Sequence, residues 1–350
     1  MHNRVRTYIS ACFYYSGLVS LVRWWIQRSG RHLIILCYHR AAGGNLRSHL
    51  LYLRRHFRIL PLETALEELY MSHKKGVQMR DRRTLLALTF DDGYYDYYTH
   101  AFTLACELQV PITIFLIPGY MESGNSFWWV ETDHLVSHAQ VDEVAIDGRT
   151  YHLERPEERN ALAGTIDARV RCAPSVAERE KFLALVREAL AVSPSDAAEE
   201  AALPLKWAEV RAMEESKWVS FGAHTIHHPD LGYLVDPSEV QREVGECRTM
   251  LEQQLGHPVC TFAYPHGSVG DKGLRAAQHA GYNWAVTTVT GFNTRRSDPY
   301  LLRRRVVDVN QHWLLVAAET AGIWFFFSRL KRFTGLLMQK LLHLTSIVGK

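Results

Sequence analysis

The stretch TLLALTFDDG, residues 84–93, decides the fold. Its first part is apolar with almost no polar alternation, which is typical of a strand covered by helices on both faces. The run ends at Asp91 and Asp92, and Gly93 then lets the chain turn. Successive side chains at a strand end point in opposite directions, so the two carboxylates are suited to different roles. An ordinary Asp-Asp-Gly turn would also explain this stretch taken alone.

Similar apolar runs recur along the 350 residues and are separated by helical patterns. Alternating strands and helices favour a parallel sheet, and seven or eight such units favour an α/β fold of the TIM-like (β/α) barrel type. The other predicted strands lie at residues 32–38, 57–60, 112–117, 218–223, 259–264, 284–288 and 304–309. The clearest helical patterns lie at residues 62–75, 237–256 and 271–281.

One region interrupts this alternation. Residues 137–205 contain a predicted hairpin around Asp147 and Gly148, followed by charged, Ala-rich helices. We interpret this region as a helical and hairpin insertion on the barrel. The predicted organisation is therefore an N-terminal segment of residues 1–31, a barrel of residues 32–310 that carries the insertion, and a C-terminal tail of residues 311–350.

The two end segments are basic and aromatic. No Asp or Glu precedes Glu63 or follows Glu319, although the net charge is only +3. Interleaved Trp, Phe, Leu and Lys or Arg is the composition of a helix on an anionic membrane surface, but core-packing helices with a basic outer face fit equally well. The 16 uncharged residues between Arg6 and Arg23 are fewer than the roughly 20 that a transmembrane span needs. An uncleaved anchor remains an alternative.

The six cysteines are scattered and form no C-x-x-C pair. This usage favours buried free thiols in a reducing compartment over disulfides or a cysteine metal site. We therefore expect a cytoplasmic protein that is able to lie peripherally on the inner surface of the membrane. No nucleic-acid partner is expected.

A second signal, FGAHTIHHPDL at residues 221–231, places three histidines within five residues. If the chain after Gly222 turns helically, His224 and His228 face the same way and His227 points elsewhere. Two histidines and one carboxylate make an open three-ligand site, which zinc hydrolases use to lower the pKa of water toward ~7. A third signal, FAYPHG at residues 262–267, is a turn whose backbone N–H groups could face a developing oxyanion.

Together these motifs resemble those of the NodB-homology polysaccharide deacetylases. The resemblance rests on TFDDG (89–93), H-T-x-x-H (224–228) and FAYPHG (262–267), in this order and each after a predicted strand. ILCYHR (35–40) and DPYLLRRRVVD (298–308) support it. The match spans roughly residues 32–309 and leaves the two ends and the insertion uncovered.

The resemblance implies a distorted (β/α) barrel and the metal-dependent removal of N-acetyl groups from amino sugars in a polysaccharide or a lipid-linked saccharide. By motif position it implies Asp92, His224 and His228 as metal ligands and Asp91 as the general base. Zinc is the default divalent metal, and cobalt, nickel, manganese or iron also suits two histidines and a carboxylate.

The chain departs from the family pattern at the general acid. The late Leu-x-His motif is not visible and LLRRRVVD (301–308) stands near its place, while Ala263 and His266 replace the Arg and Tyr of the usual R-P-P-Y turn. His266 and His39 are the candidate catalytic acids. Each could instead be an ordinary packing or hydrogen-bonding residue.

Four more residues are assigned to the substrate or the oxyanion. Tyr264 and Pro265 belong to the turn, Arg304 would orient Asp91, and Trp128, or else its neighbour Trp129, would line a pyranose ring. A basic run and ordinary core packing are the alternative explanations for Arg304 and Trp128.

Other functions use parts of the same pattern. A deformylase, or an amidohydrolase acting on another C–N amide, would need the same constellation, and a catalytically inert carbohydrate-binding relative would lack the acid. A two-His-one-carboxylate Fe(II) oxygenase usually combines H-x-D with a distant His. It ranks low because here the carboxylate precedes an H-x-x-x-H. A zinc protease of the H-E-x-x-H type is excluded because no Glu follows His224.

Overall fold

The computed structural model describes residues 2–71, 81, 83–192 and 202–323. Ten strands occur within these residues, and eight of them form one sheet in which every pairing is parallel. The strands are β1 Leu33–Tyr38, β2 Arg58–Ile59, β3 Leu85–Phe90, β4 Ile112–Leu116, β5 Glu143–Ile146, β6 Arg149–His152, β7 Val219–Ala223, β8 Thr261–Ala263, β9 Trp284–Val286 and β10 Arg305–Val306.

Helices surround this sheet. In chain order they are α1 His2–Tyr15, α2 Leu18–Arg28, α3 Leu46–His56, α4 Leu62–Met71, α5 Thr103–Leu108, α6 Pro118–Ser123, α7 Trp128–Ser137, α8 Pro156–Arg171, α9 Val176–Ala189, α10 Trp207–Glu215, α11 Pro237–Leu255, α12 Gly270–His279 and α13 Trp313–Thr320. A π-helical turn, Tyr97–Phe102, precedes α5, and a 3₁₀ turn, Pro265–Gly267, follows β8. The three clearest helical patterns of the sequence correspond to α4, α11 and α12.

The sheet curls into a distorted barrel. Its strand order is β10-β1-β3-β4-β7-β8-β9, with β2 paired to β3. A single parallel bridge between Val286 and Leu302 joins β9 to the segment that leads into β10, and β10 in turn pairs with β1. The predicted TIM-like (β/α) barrel is therefore confirmed. The last three strands are shorter than their apolar runs predict, and this is where the barrel is irregular.

Both faces of the central strands are buried, as the uninterrupted apolar runs predict. Leu33 and Ile35 belong to one cluster that includes side chains of β3, β8, β9 and helix α4. Ile34 and Leu36 belong to a larger cluster formed with the surrounding helices. Alternate residues of a strand point to opposite faces, so each apolar run must fill two cores at once.

The hairpin predicted around Asp147 and Gly148 is present as β5 and β6. Both turn residues have positive φ, 50° and 77°, as a two-residue hairpin turn with the right twist requires. This hairpin forms a sheet of its own beside α8 and α9, outside the parallel sheet. The boundaries of the insertion, and of the two end segments, stay a prediction.

The two ends of the described chain meet. The Tyr14 ring of α1 lies edge-on against Trp313 of α13, with ring centres 5.0 Å apart, and Arg6 pairs with Glu319 at 3.2 Å. Residues 324–350 of the predicted tail lie outside the described residues. Every helix in the described ranges is too short or too polar to cross a membrane.

Candidate metal centre and catalytic site

The Asp91–Asp92 pair lies where β3 ends, at the carboxyl edge of the barrel. The backbone N–H of Asp91 donates to the carbonyl of Tyr38 at 3.0 Å, which ties this end of β3 to the end of β1. Asp92 then takes a positive φ of 80°. This reversal lets the two neighbouring carboxylates meet different partners, as the strand geometry predicts.

Asp91 is held by Arg304, and both side chains are buried. Nη1 and Nη2 of Arg304 donate to the two carboxylate oxygens of Asp91 at 2.6 Å each, and Nη1 and Nε also reach Thr89 and the carbonyl of Thr287. Burial alone would raise the pKa of Asp91, but the Arg304 guanidinium, together with His224 and His39, outweighs burial and holds this pKa well below its usual range. Asp91 is therefore an ionised carboxylate at neutral pH.

Asp92, His224 and His228 form a three-donor group. Their ligand atoms lie within 4.8 Å of one another, and Oδ1 of Asp92 is 3.6 Å from Nε2 of each histidine. Nδ1 of His224 lies 2.7 Å from the carbonyl of Ala263, so this nitrogen donates and Nε2 keeps its lone pair. All three side chains are buried.

The donors fit a divalent cation. Burial and the charge of Asp91 raise the pKa of Asp92 well above its usual range. Burial lowers the pKa of His224 to about 4 and that of His228 well below its usual value. Two neutral imidazoles and a carboxylate that lacks a cationic partner are the donors that a divalent metal prefers. Three protein donors would leave positions open for water and substrate.

The loop that presents the histidines is not helical, so the helical turn considered after Gly222 does not form. Thr225 and His228 both adopt positive φ, 65° and 54°, and the Thr225 hydroxyl accepts from the N–H of His228 at 2.9 Å. The loop still brings His224 and His228 together. His227 points away, with Nδ1 2.7 Å from the carboxylate of Glu243 on α11, and it lies outside the donor group.

His39 lies at the barrel mouth, on the loop after β1. It is exposed, and one of its ring nitrogens lies within 4.8 Å of ligand atoms of Cys37 and Asp91. Both oxygens of Asp91 already bind Arg304, so this second group is poorly suited to a cation. The loop is fixed by buried Asp96, which accepts at 3.0 Å from Nε of Arg40 and from the backbone of the next two residues.

His266 lies on the other side of the donor group, in the turn after β8. Its ring centre is 4.7 Å from that of His228. Nη1 of Arg171, at the end of α8, lies 3.1 Å from Nδ1 of His266. Arginine can only donate, so Nδ1 accepts and Nε2 carries the hydrogen. Burial and Arg171 lower the pKa of His266 to about 4, so the ring is neutral at neutral pH.

A family model described as polysaccharide deacetylase matches residues 78–171 and 176–285, more than half of the chain. The chain belongs to the polysaccharide deacetylase family. The first matched segment contains Asp91 and Asp92, and the second contains His224, His228 and His266. The resemblance that the motifs indicate is therefore confirmed.

Individual relatives agree with this assignment. One relative, named as the polysaccharide deacetylase YxkH of Bacillus subtilis (strain 168), is 30% identical over 86 residues. That match covers 25% of this chain and 30% of YxkH, so the chain matches less than a third of the length of this relative.

Solved structures share the fold. The Streptococcus pyogenes deacetylase PplD, in complex with acetate, superposes with a TM-score of 0.52 and 19% identity, over 81% of this chain and 96% of that one. IcaB from Ammonifex degensii gives a TM-score of 0.52 and 18% identity, over 83% and 97% of the two chains. At these identities the likeness shows the distorted barrel and no more.

The expectation that Trp128 lines a pyranose ring was wrong, because its ring does not offer a face to a sugar. Its side chain is only 2% exposed, and Nε1 donates to the carbonyl of His228 at 3.3 Å. Trp128 therefore supports the loop that carries a donor histidine. Its neighbour Trp129 is partly exposed, with its ring centre 4.6 Å from that of His228.

Tyr264 and Pro265 are both buried. The Tyr264 ring packs edge-on against Phe262 at 5.1 Å. Its hydroxyl has no hydrogen-bond partner among the described residues. Pro265 opens the 3₁₀ turn in which His266 takes a positive φ of 57°. These two residues shape the turn, and their assignment to the substrate or the oxyanion stays a prediction.

Sequence reasoning missed Arg171 and Glu243. Arg171 lies in the predicted insertion, far along the chain from every motif. Glu243 is buried on α11 and accepts from the N–H groups of Ile226 and His227 at 3.0 and 2.9 Å. Its only signal in the sequence is an acidic residue at a position that the helical pattern places on the buried face.

Proposed function

We propose that the chain hydrolyses the N-acetyl group of an amino sugar with the help of a divalent metal ion, zinc by default. One observation carries this proposal: the open donor group of Asp92, His224 and His228 lies beside an ionised carboxylate, Asp91, clamped by Arg304. A neutral amide is a poor electrophile, so its hydrolysis needs an electrophilic activator and a base side by side. The donor group would hold the activator, and Asp91 would be the base.

The metal, held by Asp92, His224 and His228, would supply Lewis-acid polarisation of the acetyl carbonyl and acidify water. Asp91 takes a proton from the attacking water as its oxygen bonds to the carbonyl carbon. Arg304 keeps both oxygens of Asp91 in place and keeps the group ionised until that step. The C–N bond then breaks, and acetate and the amine are released.

The amine can leave only if it gains a proton. His39 suits this role because it is exposed at the barrel mouth, near the carboxylate of Asp91. Burial lowers the pKa of His39, and the carboxylate of Asp91 opposes that shift. His266 suits a different role, since Arg171 disfavours its protonated form and leaves Nε2–H as a hydrogen-bond donor beside His228. His266 would thus donate a hydrogen bond to a substrate oxygen while His39 donates the proton.

The substrate proposed is an N-acetylated saccharide, in a polysaccharide or linked to a lipid. Of the two tryptophans, partly exposed Trp129, beside His228, is the candidate sugar platform. A cytoplasmic site of action is part of the proposal because the scattered cysteines favour a reducing compartment. A peripheral position on the inner membrane surface is included because the basic, aromatic ends favour it.

Acetate release tests the proposal. Zinc-loaded wild type should release acetate from N-acetylglucosamine oligomers or from lipid-linked N-acetylamino sugars. Asp91→Asn should lower the rate by roughly 10²- to 10⁴-fold while zinc content, measured by mass spectrometry, stays unchanged. Asp147→Asn, in the exposed hairpin turn, is the matched control and should behave as wild type.

Two results would redirect the proposal. Release of formate, or of another acyl group, in place of acetate would identify a deformylase or a different amidohydrolase. Full zinc occupancy with no acyl release from any N-acyl sugar would leave only a carbohydrate-binding role.

A further inference from the structure

Helices α1 and α2 carry apolar side chains that face solvent. Half of the large hydrophobic side chains that are exposed in the described residues lie on these two helices. They are spaced three, four or seven residues apart along each helix, so they form a stripe along one face. The residues are Val5, Tyr8, Ile9 and Tyr15 on α1 and Leu21, Trp24 and Trp25 on α2.

These stripes are not needed to hold the helices on the barrel. Tyr14 contacts Trp313 from the other face of α1. On α2, Val19 and Ile26 are buried, and Arg23 donates to the Tyr52 hydroxyl at 3.3 Å. Packing therefore explains one face of each helix, and it does not explain why Tyr8 is 73% exposed or Trp25 64% exposed.

The surroundings of the stripes are cationic. Arg4 and Arg28 are exposed on the same two helices, and the Arg28 guanidinium lies 4.2 Å from the centre of the Trp24 ring. The first acidic residue of the chain is Glu63, so no carboxylate on α1 or α2 offsets these charges. Glu319 of α13 pairs with Arg6, which is not one of these two exposed arginines.

We infer that this surface, the exposed stripes of α1 and α2 with Arg4 and Arg28, binds the headgroup region of an anionic lipid bilayer. Exposed Trp and Tyr side chains prefer the interface between water and lipid, and basic residues are attracted to anionic headgroups. Because every described helix is unable to span a membrane, the chain would bind through this surface from one side.

Charge argues against other occupants. A second copy of the chain would bring an equally basic surface against this one, and like charges repel. The chain's own C-terminal residues 324–350 also contain Lys and Arg and no Asp or Glu. An anionic bilayer supplies both the apolar layer and the opposite charge.

Vesicle flotation tests this inference without using the enzymatic activity, so its result does not depend on the proposed reaction. The full chain should float with phosphatidylcholine vesicles that contain phosphatidylglycerol and much less with phosphatidylcholine alone. The double variant Trp24→Ser/Trp25→Ser should lower the partition coefficient by roughly 10- to 100-fold. Its melting temperature should not change, because both side chains are exposed.

Two further variants separate the contributions. Arg4→Gln/Arg28→Gln should reduce the preference for anionic vesicles by roughly fivefold for each charge removed and leave binding to neutral vesicles unchanged. Tyr233→Ser/Val235→Ser removes apolar side chains that are equally exposed elsewhere on the molecule and should bind as wild type does.

Three results would overturn the inference. The first is equal binding to anionic and neutral vesicles, and the second is wild-type binding by the tryptophan variant. The third is a wild-type protein that does not float with the vesicles. If such a protein forms a dimer that the tryptophan substitutions dissociate, the surface binds a second copy of the chain and not a bilayer.

Discussion

At the scale of single residues, the two histidines beside the donor group differ in what surrounds them. His39 is exposed and lies near the carboxylate of Asp91, whereas His266 accepts a hydrogen bond from Arg171. Burial lowers the pKa of both rings, but the carboxylate of Asp91 opposes this shift at His39 and Arg171 adds to it at His266. The same side chain can therefore serve two roles. Kinetics with two kinds of leaving group can tell these roles apart.

His39→Gln should slow amide hydrolysis by roughly 10²-fold, because the departing amine loses its proton donor. An activated acetyl ester, whose leaving group departs without a proton, should be cleaved by this variant at nearly the wild-type rate. His266→Gln should slow both substrates alike. If His39→Gln is equally slow on the ester and the amide, His39 is not the proton donor.

Arg304→Met should change both stability and the pH profile. The substitution leaves Asp91 buried without its partner, and the free energy of unfolding at neutral pH should fall by about 3–5 kcal/mol. Burial then acts without its largest opposing charge and raises the pKa of Asp91, so the acidic limb of kcat/KM should move to higher pH. Urea unfolding and rate profiles between pH 4 and 8 would measure these changes.

The sign of the stability effect depends on pH. Arg304 lowers the pKa of Asp91 in the folded protein, so the stabilisation exists above the unfolded pKa of about 3.9 and is lost as the pH falls toward the folded value. The difference in the free energy of unfolding between wild type and Arg304→Met should therefore become smaller at acidic pH. Arg303→Met, at the exposed neighbouring position, is the control. A difference in unfolding free energy between wild type and Arg304→Met that stays constant with pH would contradict the Arg304–Asp91 ion pair.

At the scale of elements, residues with positive φ shape both the hairpin and the loop that carries the donor histidines. The Asp147-Gly148 turn places both residues at positive φ, and this local rule allowed the hairpin to be predicted from the sequence. The loop after β7 also uses positive φ, at Thr225 and His228. There the residues are not glycine, and contacts with Glu243 and the Thr225 hydroxyl hold the strained conformation.

Two glycines allow a matched test of the hairpin. Gly148 has a φ of 77° and open space around it, so Gly148→Ala should cost roughly 1 kcal/mol from backbone strain alone. Gly164 also has open space but lies within helix α8, and Gly164→Ala should stabilise the protein by up to about 1 kcal/mol. Thermal unfolding measures both, and shifts of the same sign would contradict the assigned turn.

At the scale of the whole molecule, the two ends of the described chain are held together by helix packing. Tyr14 of α1 reaches Trp313 of α13 and Tyr52 of α3, with ring centres 5.0 and 6.2 Å apart. Its neighbour Tyr15 is 75% exposed. The helix therefore separates a packing role from the surface role that we infer for its other face.

Tyr14→Ala should lower the free energy of unfolding by roughly 1–3 kcal/mol, because it leaves a space between the first and last described helices. Tyr15→Ala should change it by less than about 0.5 kcal/mol. Urea unfolding would measure both values. Equal effects of the two substitutions would show that α1 does not pack on α13 in this way.

Short-range patterns accounted for much of the molecule. Apolar runs predicted the strands, a 3.6-residue period predicted α4, α11 and α12, and motif order indicated the family. Some local expectations were wrong because tertiary contacts compete with local preference. The histidine loop is not helical. Trp128 is buried, although an aromatic residue at that place in the sequence favours a sugar platform.

The sequence by itself determined which chemical groups arrive at the carboxyl edge of the barrel, because a strand's end and the turn after it are encoded within a few residues. Only the tertiary structure decided which groups meet. Asp91 and Arg304 are 213 positions apart, and Arg171 and His266 are 95 apart. Such contacts depend on how β10 closes the barrel and how α8 lies against it, and no local period or propensity encodes those arrangements.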